Sequence, residues 1–538
     1  MGNKASELRV LSRRHLLGLV AAATATTLLA ACGPSAPAAA PTQPAGTRPT
    51  SPPSTPANTG PAQTAASLIV LPDTPGLPSG AVTFRWLGTA GERKLFVDQL
   101  IPAYQLKHSN ITIQHDALPM PDIAKVLPAG IQGGQAPDIF ELPSGFTGAQ
   151  AVQQGWVRPL DDLIPNFDKW KAAFPPGALV EGSNIFKGKT YSFPFESLKR
   201  NNGELLFNAD YLTQAGLDPN PQPFTWDTYR AAAKRLTQQG AGKYFGTMIA
   251  GQQPSRWSGY VAFLAEMAGA SALGSTPATD INLKTGEYSY PSDEYLAALD
   301  LLLAVKSDGS FLPGTISLNV QQTDSQFAQG VAAMYLNGPY TFPQWKIDAP
   351  NFNYDVASQP IPNSGAAQPM WYPAGGSTYW VYAKTQYPEI AGDILSYAGS
   401  EAGQKALIKI IDGSQPSVFA SANAQEGLEP RAKKALAIFE RQMRLAPGPE
   451  VRNPDVALLY LEMKALTPDF GTTVQGIFSG QLSDPKKALQ DLQERATREL
   501  ERAIQAARSK GANVSRDDFK FANWDTSRDF TAADYAHS

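Results

Sequence analysis
The spacing of apolar residues predicts an α/β chain. Val82-Thr-Phe-Arg-Trp86 alternates apolar with polar, the period of a strand. A loop at Gly88-Thr-Ala-Gly91-Glu92 follows. Lys94 to Leu106 then carries Phe96, Leu100 and Tyr104 at helical spacing, with a kink expected at Pro102. Ile111-Thr-Ile-Gln114 predicts a second strand. Ile123, Val126, Leu127 and Ile131 predict a second helix, closed by Gly133-Gly134, and 137–142 predicts a third strand. Strand, helix, strand, helix, strand implies parallel pairing through right-handed crossovers.

Later segments continue the theme. A hairpin is expected at Phe186 to Tyr191, a strand at Leu205–Asn208, and a helix capped by Thr225 with Trp226, Tyr229, Ala233 and Leu236 on one face. Helices are predicted over Tyr295–Lys306, over Glu389–Gly403 and through much of 430–443. Asp484-Pro485 caps a long helix with Leu489, Leu492, Ala496, Leu500, Ile504 and Ala507 in a stripe, expected to pack on the body. The stretch Phe327 to Tyr340 is the most telling. Val331-Ala-Ala-Met-Tyr-Leu336 is a short apolar run cut off by Asn337-Gly338-Pro339, the pattern of a buried strand ending in a sharp turn. Open α/β sheets bind ligands just beyond the carboxyl ends of their strands. Asn337 and Tyr340 occupy that position, although a plain strand and turn would read the same way.

Composition narrows the function. A formal net charge of −3 gives no basic surface for nucleic acid, and aromatic residues make up 10% of the chain. The single cysteine, Cys32, follows Arg13-Arg14, an apolar run from Leu16 to Ala31, and Leu29-Ala-Ala. That run is short for a membrane span. The order resembles a bacterial lipoprotein signal, which implies a signal peptide over 1–31 and acylation of Cys32. The residues after the arginine pair match the twin-arginine pattern only in part. From Gly33 to about Gly80 the chain is Pro, Ala, Thr and Ser, so 32–80 is expected to be the lipidated cysteine and an extended tether.

In the rest of the chain, short motifs recur in a known order. They include Gly133-Gly-Gln-Ala-Pro-Asp-Ile139, Gly155-Trp-Val-Arg-Pro-Leu-Asp161, Gly188-Lys-Thr-Tyr-Ser-Phe-Pro194, Phe207-Asn-Ala-Asp-Tyr211, Phe327-Ala-Gln-Gly330, Asn337-Gly-Pro-Tyr340 and Gly375-Gly376-Ser377. From about Val82 to Ala507 this resembles the extracellular solute-binding proteins of bacterial ABC importers, the family of maltose-binding protein. The resemblance implies an α/β fold of two discontinuous lobes joined by a hinge, the periplasmic-binding-protein-like class II arrangement. Lobe one would be 81–194 plus 372–440, and lobe two 195–371 plus 441–510. The segment 511–538 stays unassigned. It further implies a monomer that captures a small solute, with carbohydrate favoured, and delivers it to ABC permease subunits without a cofactor. A lipid anchor at Cys32 would hold it at the outer face of the cytoplasmic membrane.

Other chemistry fits less well. Gly188-Lys189-Thr190 ends like a phosphate-binding loop but lacks the strand–loop–helix context. His108, His115 and His537 are scattered, so no metal site is expected. A glycosidase would need two carboxylates flanking one bond, and Glu92, Glu141 and Glu196 are the acids available; a sensing or adhesion lipoprotein is the other alternative. Sugars need flat rings and paired polar groups, because an unpaired buried polar group costs about 1–3 kcal/mol. The expected ligand contacts are Trp86, Glu92 and Glu141 from lobe one and Phe195 and Glu196 from the first crossing. Arg256, Trp257, Asn337 and Tyr340 come from lobe two, and Trp371, Tyr372, Gly376 and Ser377 from the second crossing. Trp156 and Trp226 are expected to be structural.

Overall fold
The computed structural model describes residues 68–143, 146–200, 202–272 and 280–536. The signal peptide, Cys32 and most of the tether expected over 32–80 lie outside the described residues.

Two sheets organise the fold. The first has the strand order Ile111–Leu118, Val82–Thr89, Ile139–Glu141, Tyr379–Tyr382, Val157–Arg158. Val82–Thr89 pairs in parallel with both Ile111–Leu118 and Ile139–Glu141, as the alternating strands and helices require. Tyr379–Tyr382 inserts antiparallel beside Ile139–Glu141, with Tyr379 opposite Glu141. Its amino end therefore meets the carboxyl ends of the parallel strands. The second sheet runs Tyr354–Ala357, Glu204–Asn208, Ala332–Asn337, Phe245–Met248. The apolar run at 331–336 becomes its buried strand Ala332–Asn337, parallel to Phe245–Met248 and antiparallel to Glu204–Asn208.

Helices cover these sheets where their apolar stripes dictate. Glu92–Lys107 buries Phe96, Val97, Leu100 and Tyr104 and continues through Pro102. Thr225 caps Trp226–Gly240 by accepting from the Thr228 amide. The run expected as one helix over Glu389–Gly403 is two, Pro388–Ala398 and Glu401–Ile410. Ser400 caps the second by accepting from the Gly403 amide, so a local side-chain bond ends one helix and starts the next. Pro485–Ser509 is the expected long helix, capped by Asp484, and its stripe joins the core around Leu205 and Trp257.

The chain passes between the two α/β lobes near 195–203, again between Ala357 and Tyr379, and between Asn423 and Pro430. The helix Pro430–Gln442 packs on Tyr354–Ala357, with Ala435 and Ile438 in the second sheet's core. The previously unassigned 511–536 segment packs closely, burying Phe519, Phe521, Trp524 and Phe530.

Candidate functional site
At the first sheet, Val82–Thr89 and Ile139–Glu141 end together, and Glu92–Lys107 begins there. Arg93, on the first turn of that helix, bridges two acids. Its Nη1 donates to Glu141 Oε2 at 2.8 Å. Its Nε and Nη2 donate to Glu196 Oε1 and Oε2, both at 2.7 Å, a bidentate fork. Glu141 Oε1 also accepts from the Thr89 amide at 2.8 Å and the Thr89 hydroxyl at 2.9 Å. The side chains of Arg93, Glu141 and Glu196 are 18%, 4% and 3% exposed, so water screens the fork little. Arg200 Nη2 lies 3.7 Å from Glu196.

This electrostatic arrangement sorts the charges. Burial alone would raise Glu196, but the Arg93 and Arg200 charges outweigh it and hold the carboxyl below its usual range. Burial and the Glu196 charge together raise Glu92. Beside Arg93 and Glu141 opens a cavity of about 260 Å³ lined also by Phe146, Ser377, Thr378 and Trp380. Phe146 stacks on Trp156 with ring centroids 4.3 Å apart.

A second polar group forms at the corresponding end of the other sheet. Arg256, on the helix Pro254–Met267 that follows Phe245–Met248, donates to the Tyr340 hydroxyl at 2.8 Å. That hydroxyl donates to Asn337 Oδ1 at 2.5 Å, and Asn337 Nδ2 donates to Asp324 at 3.0 Å. Burial, partly opposed by Arg256, pushes Asp324 up to about 7. Glu204 pairs with Asn337 across the strands and is wholly buried. Neither of its carboxyl oxygens has a hydrogen-bond partner among the described residues, and burial pushes it well above its usual range. The first crossing joins the two groups: Glu196 and Arg200 lie on it, and so does Asn202. A Cβ on Gly338 would come within 2.7 Å of Asn202 Oδ1 and 2.8 Å of the Tyr340 ring. Glycine is thus required there for space, since its φ of −99° is open to any residue.

The expected contacts divide accordingly. Glu92, Glu141 and Glu196 gather around Arg93, and Arg256, Asn337 and Tyr340 form the second group. Ser377 lines the cavity. The large rings are a correction. Trp86 and Phe195 are fully buried, both edge-on to Tyr379. Trp257 is fully buried, with Nε1 donating to the Gly251 carbonyl. Trp371 is 1% exposed; its Nε1 donates to the Thr526 carbonyl at 2.9 Å, and Trp524 meets it edge-on. These four rings pack the body because their own strands and neighbours enclose them. Tyr372 is half-buried against the cluster of Met370 and Phe439. Gly375 and Gly376 have φ of 93° and 112°, and a Cβ on Gly375 would meet Val180 and Ser183, so this pair makes a tight turn against the lobe-one loop. The sequence reading missed Arg93, Asp324 and Trp380. Arg93 was findable, since it follows the first strand's loop at a helix start; Asp324 left no signal, because only the fold brings it to Asn337.

A binding protein of Brucella abortus is 26% identical over 271 residues, 50% of this chain and 61% of the relative's length. The GacH receptor of Streptomyces glaucescens, solved unliganded and with acarbose, superposes with a TM-score of 0.60 at 18% identity, covering 78% of this chain and 99% of that one. A solute-binding protein of Thermotoga lettingae bound with tagatose gives 0.58 at 20% identity, covering 78% and 100%. The profile described as bacterial extracellular solute-binding protein matches residues 90–405. That match spans more than half of the sequence, and the chain belongs to the family of bacterial extracellular solute-binding proteins.

Proposed function
We propose that this chain captures a neutral polyhydroxylated solute, a sugar, oligosaccharide or polyol, between its two lobes and hands it to the permease of an ABC importer. The observation that carries the reading is the Arg93 fork with Glu141 and Glu196 beside the 260 Å³ cavity. Hydroxyl edges need acceptors and donors held in place, and the fork fixes both. Phe146 and Trp380 supply ring surface along the same wall. Closure would bring the group around Tyr340 to the same solute, so the ligand favours the closed state by touching both lobes. The acarbose and tagatose held by the two structural relatives are of this chemical class.

Binding suits the site better than hydrolysis does. Glu92 is the raised carboxyl here, but the second acid a glycosidase needs is not free: Arg93 holds both oxygens of Glu196 and one of Glu141, and Thr89 holds the other Glu141 oxygen. Export, lipidation of Cys32 and a monomeric state belong to the same proposal, and the signal-like order of residues 13–32 supports the first two.

The test is thermal-shift screening of the full chain against sugars, oligosaccharides, polyols and glycerol phosphates, followed by calorimetric titration of the hits. A solute at a hundred times its dissociation constant should stabilise by about 2.7 kcal/mol. A saturable shift from one class without turnover is the expected result. Release of hydrolysis products would establish a glycosidase instead, and silence across the whole library would overturn the reading.

A further inference from the structure
The segment 511–536, which the binding site does not use, lies across the crossings between the lobes. Trp371, in the second crossing, donates its indole N–H to the Thr526 carbonyl at 2.9 Å and meets the Trp524 ring at 5.2 Å. Met370–Pro373 pairs in parallel with Met443–Ala446. The segment then runs along that second strand: Arg444 donates to the Ser527 carbonyl at 3.0 Å, and the Phe530 amide to the Leu445 carbonyl at 2.8 Å. Asp529 is the junction. Its Oδ1 accepts from the Leu445 amide at 2.9 Å, and its Oδ2 from Lys199 of the first crossing at 3.2 Å. One carboxylate thus ties the first crossing to the strand pair that carries the second.

We infer that this segment is a strap that sets the resting angle between the lobes, with Asp529 and Lys199 as its positioning residues. The reason is mechanical. Rotation about the crossings changes the backbone of 195–203 relative to Met370–Pro373, and a link that spans both must stretch, break or be carried along. The segment has no side chain among the residues lining the cavity at Arg93, so it acts on affinity only through the angle. The inference rests on the two-lobed fold and on no particular solute.

The test reads the angle without ligand. Spin labels are placed at Leu106→Cys and Ile347→Cys, 83% and 62% exposed on helices of the first and second lobes. The full chain carries Cys32→Ser, which removes its only other cysteine. Interlobe distance distributions are measured by double electron–electron resonance for the parent, Lys199→Ala, Asp529→Asn and the double variant. Each single variant should change the ratio of open to closed populations by about three-fold, the size a partly exposed ion pair supports. Lys199 also lies 3.8 Å from Glu440, so the double variant should move no further than Lys199→Ala alone, which already breaks the Asp529 link. Arg528→Ala, whose side chain pairs with Asp534 inside the segment, should leave the distribution unchanged. An unchanged distribution in the single variants, whatever their melting temperatures, would overturn the inference, as would an equal shift from Arg528→Ala. Failure of the solute reading would appear separately, in the titrations.

Discussion

Replacing Arg93 with methionine removes the guanidinium while keeping an unbranched apolar stem. The two acids it leaves behind differ. Glu141 retains the Thr89 amide and hydroxyl, at 2.8 and 2.9 Å. Among the described residues, Glu196 loses both of its 2.7 Å bonds and keeps Arg200, at 3.7 Å. The penalty therefore falls mainly on Glu196, and stranding one partner of a buried pair costs about 3–5 kcal/mol. Its pH dependence follows from the sign of the shift. In the wild type Glu196 is depressed, so it contributes stability above its unfolded value of 4.5 and loses it as pH falls through the folded value. In Arg93→Met the same carboxyl is buried without its main partner, so its folded value should rise above 4.5 and the native state should bind the extra proton. The stability gap between the two proteins should be full near pH 8 and should shrink toward about pH 4.5. Urea unfolding across this range measures it. Adding Glu196→Gln to Arg93→Met should recover much of the loss. A gap that is flat with pH, or smaller than about 1 kcal/mol, would refute the argument that Arg93 neutralises a buried carboxylate.

Three further outcomes are expected. Trp371→Ala should cost about 3–5 kcal/mol in unfolding free energy, as for a large buried ring, and a normal melting temperature would contradict its place against Trp524. Tyr340→Phe keeps the ring but removes the hydroxyl between Arg256 and Asn337, leaving buried Asn337 Oδ1 without that donor; it should cost about 1–3 kcal/mol of unliganded stability, and titration with the screened solute should show about ten-fold weaker binding, near 1.4 kcal/mol. Asp280 is raised by burial to about 7 from 3.8 despite the Tyr290 hydroxyl. The native state then holds the extra proton, so stability should fall as pH rises from about 4 to 7, and Asp280→Asn should flatten that part of the profile in denaturation series.

Periodicity made the elements legible. Val82–Trp86, Val331–Leu336 and the stripe from Leu489 to Ala507 each announced their type, because one buried face imposes one spacing. Direction was legible only where strands alternate with helices. Nothing local says that Tyr379–Tyr382 runs antiparallel beside Glu141, because pairing partners far apart in the chain are chosen by the sheet. The polar residues expected at the site lie together, whereas the large rings lie in the core. Glu141 and Glu196 sit where strands and crossings end, and charged groups in such places need partners. A tryptophan is as well suited to a core as to a cleft, and Trp86, Trp257 and Trp371 turned out to be enclosed by residues far along the chain. Pro430–Gln442 has an apolar face that serves more than one core, with Ala435 and Ile438 in the second sheet's core and Leu436 against the first, and that sharing is not legible from its periodicity.

The place of Tyr379–Tyr382 in the first sheet bears on the order of assembly. This strand lies between Ile139–Glu141 and Val157–Arg158, and Ser377, Thr378 and Trp380 form part of the cavity wall. All four strands of the second sheet precede it in the chain. A polypeptide emerging amino end first therefore presents Arg93 and Glu141 long before the wall that encloses them, leaving an incomplete sheet with open edges through synthesis of the residues between. Such long-range closure is slow and exposes strands to wrong partners. The wall beside Arg93 and Glu141 is consequently completed only once Tyr382 has emerged, so the edge of Ile139–Glu141 stays open through synthesis of the whole second sheet.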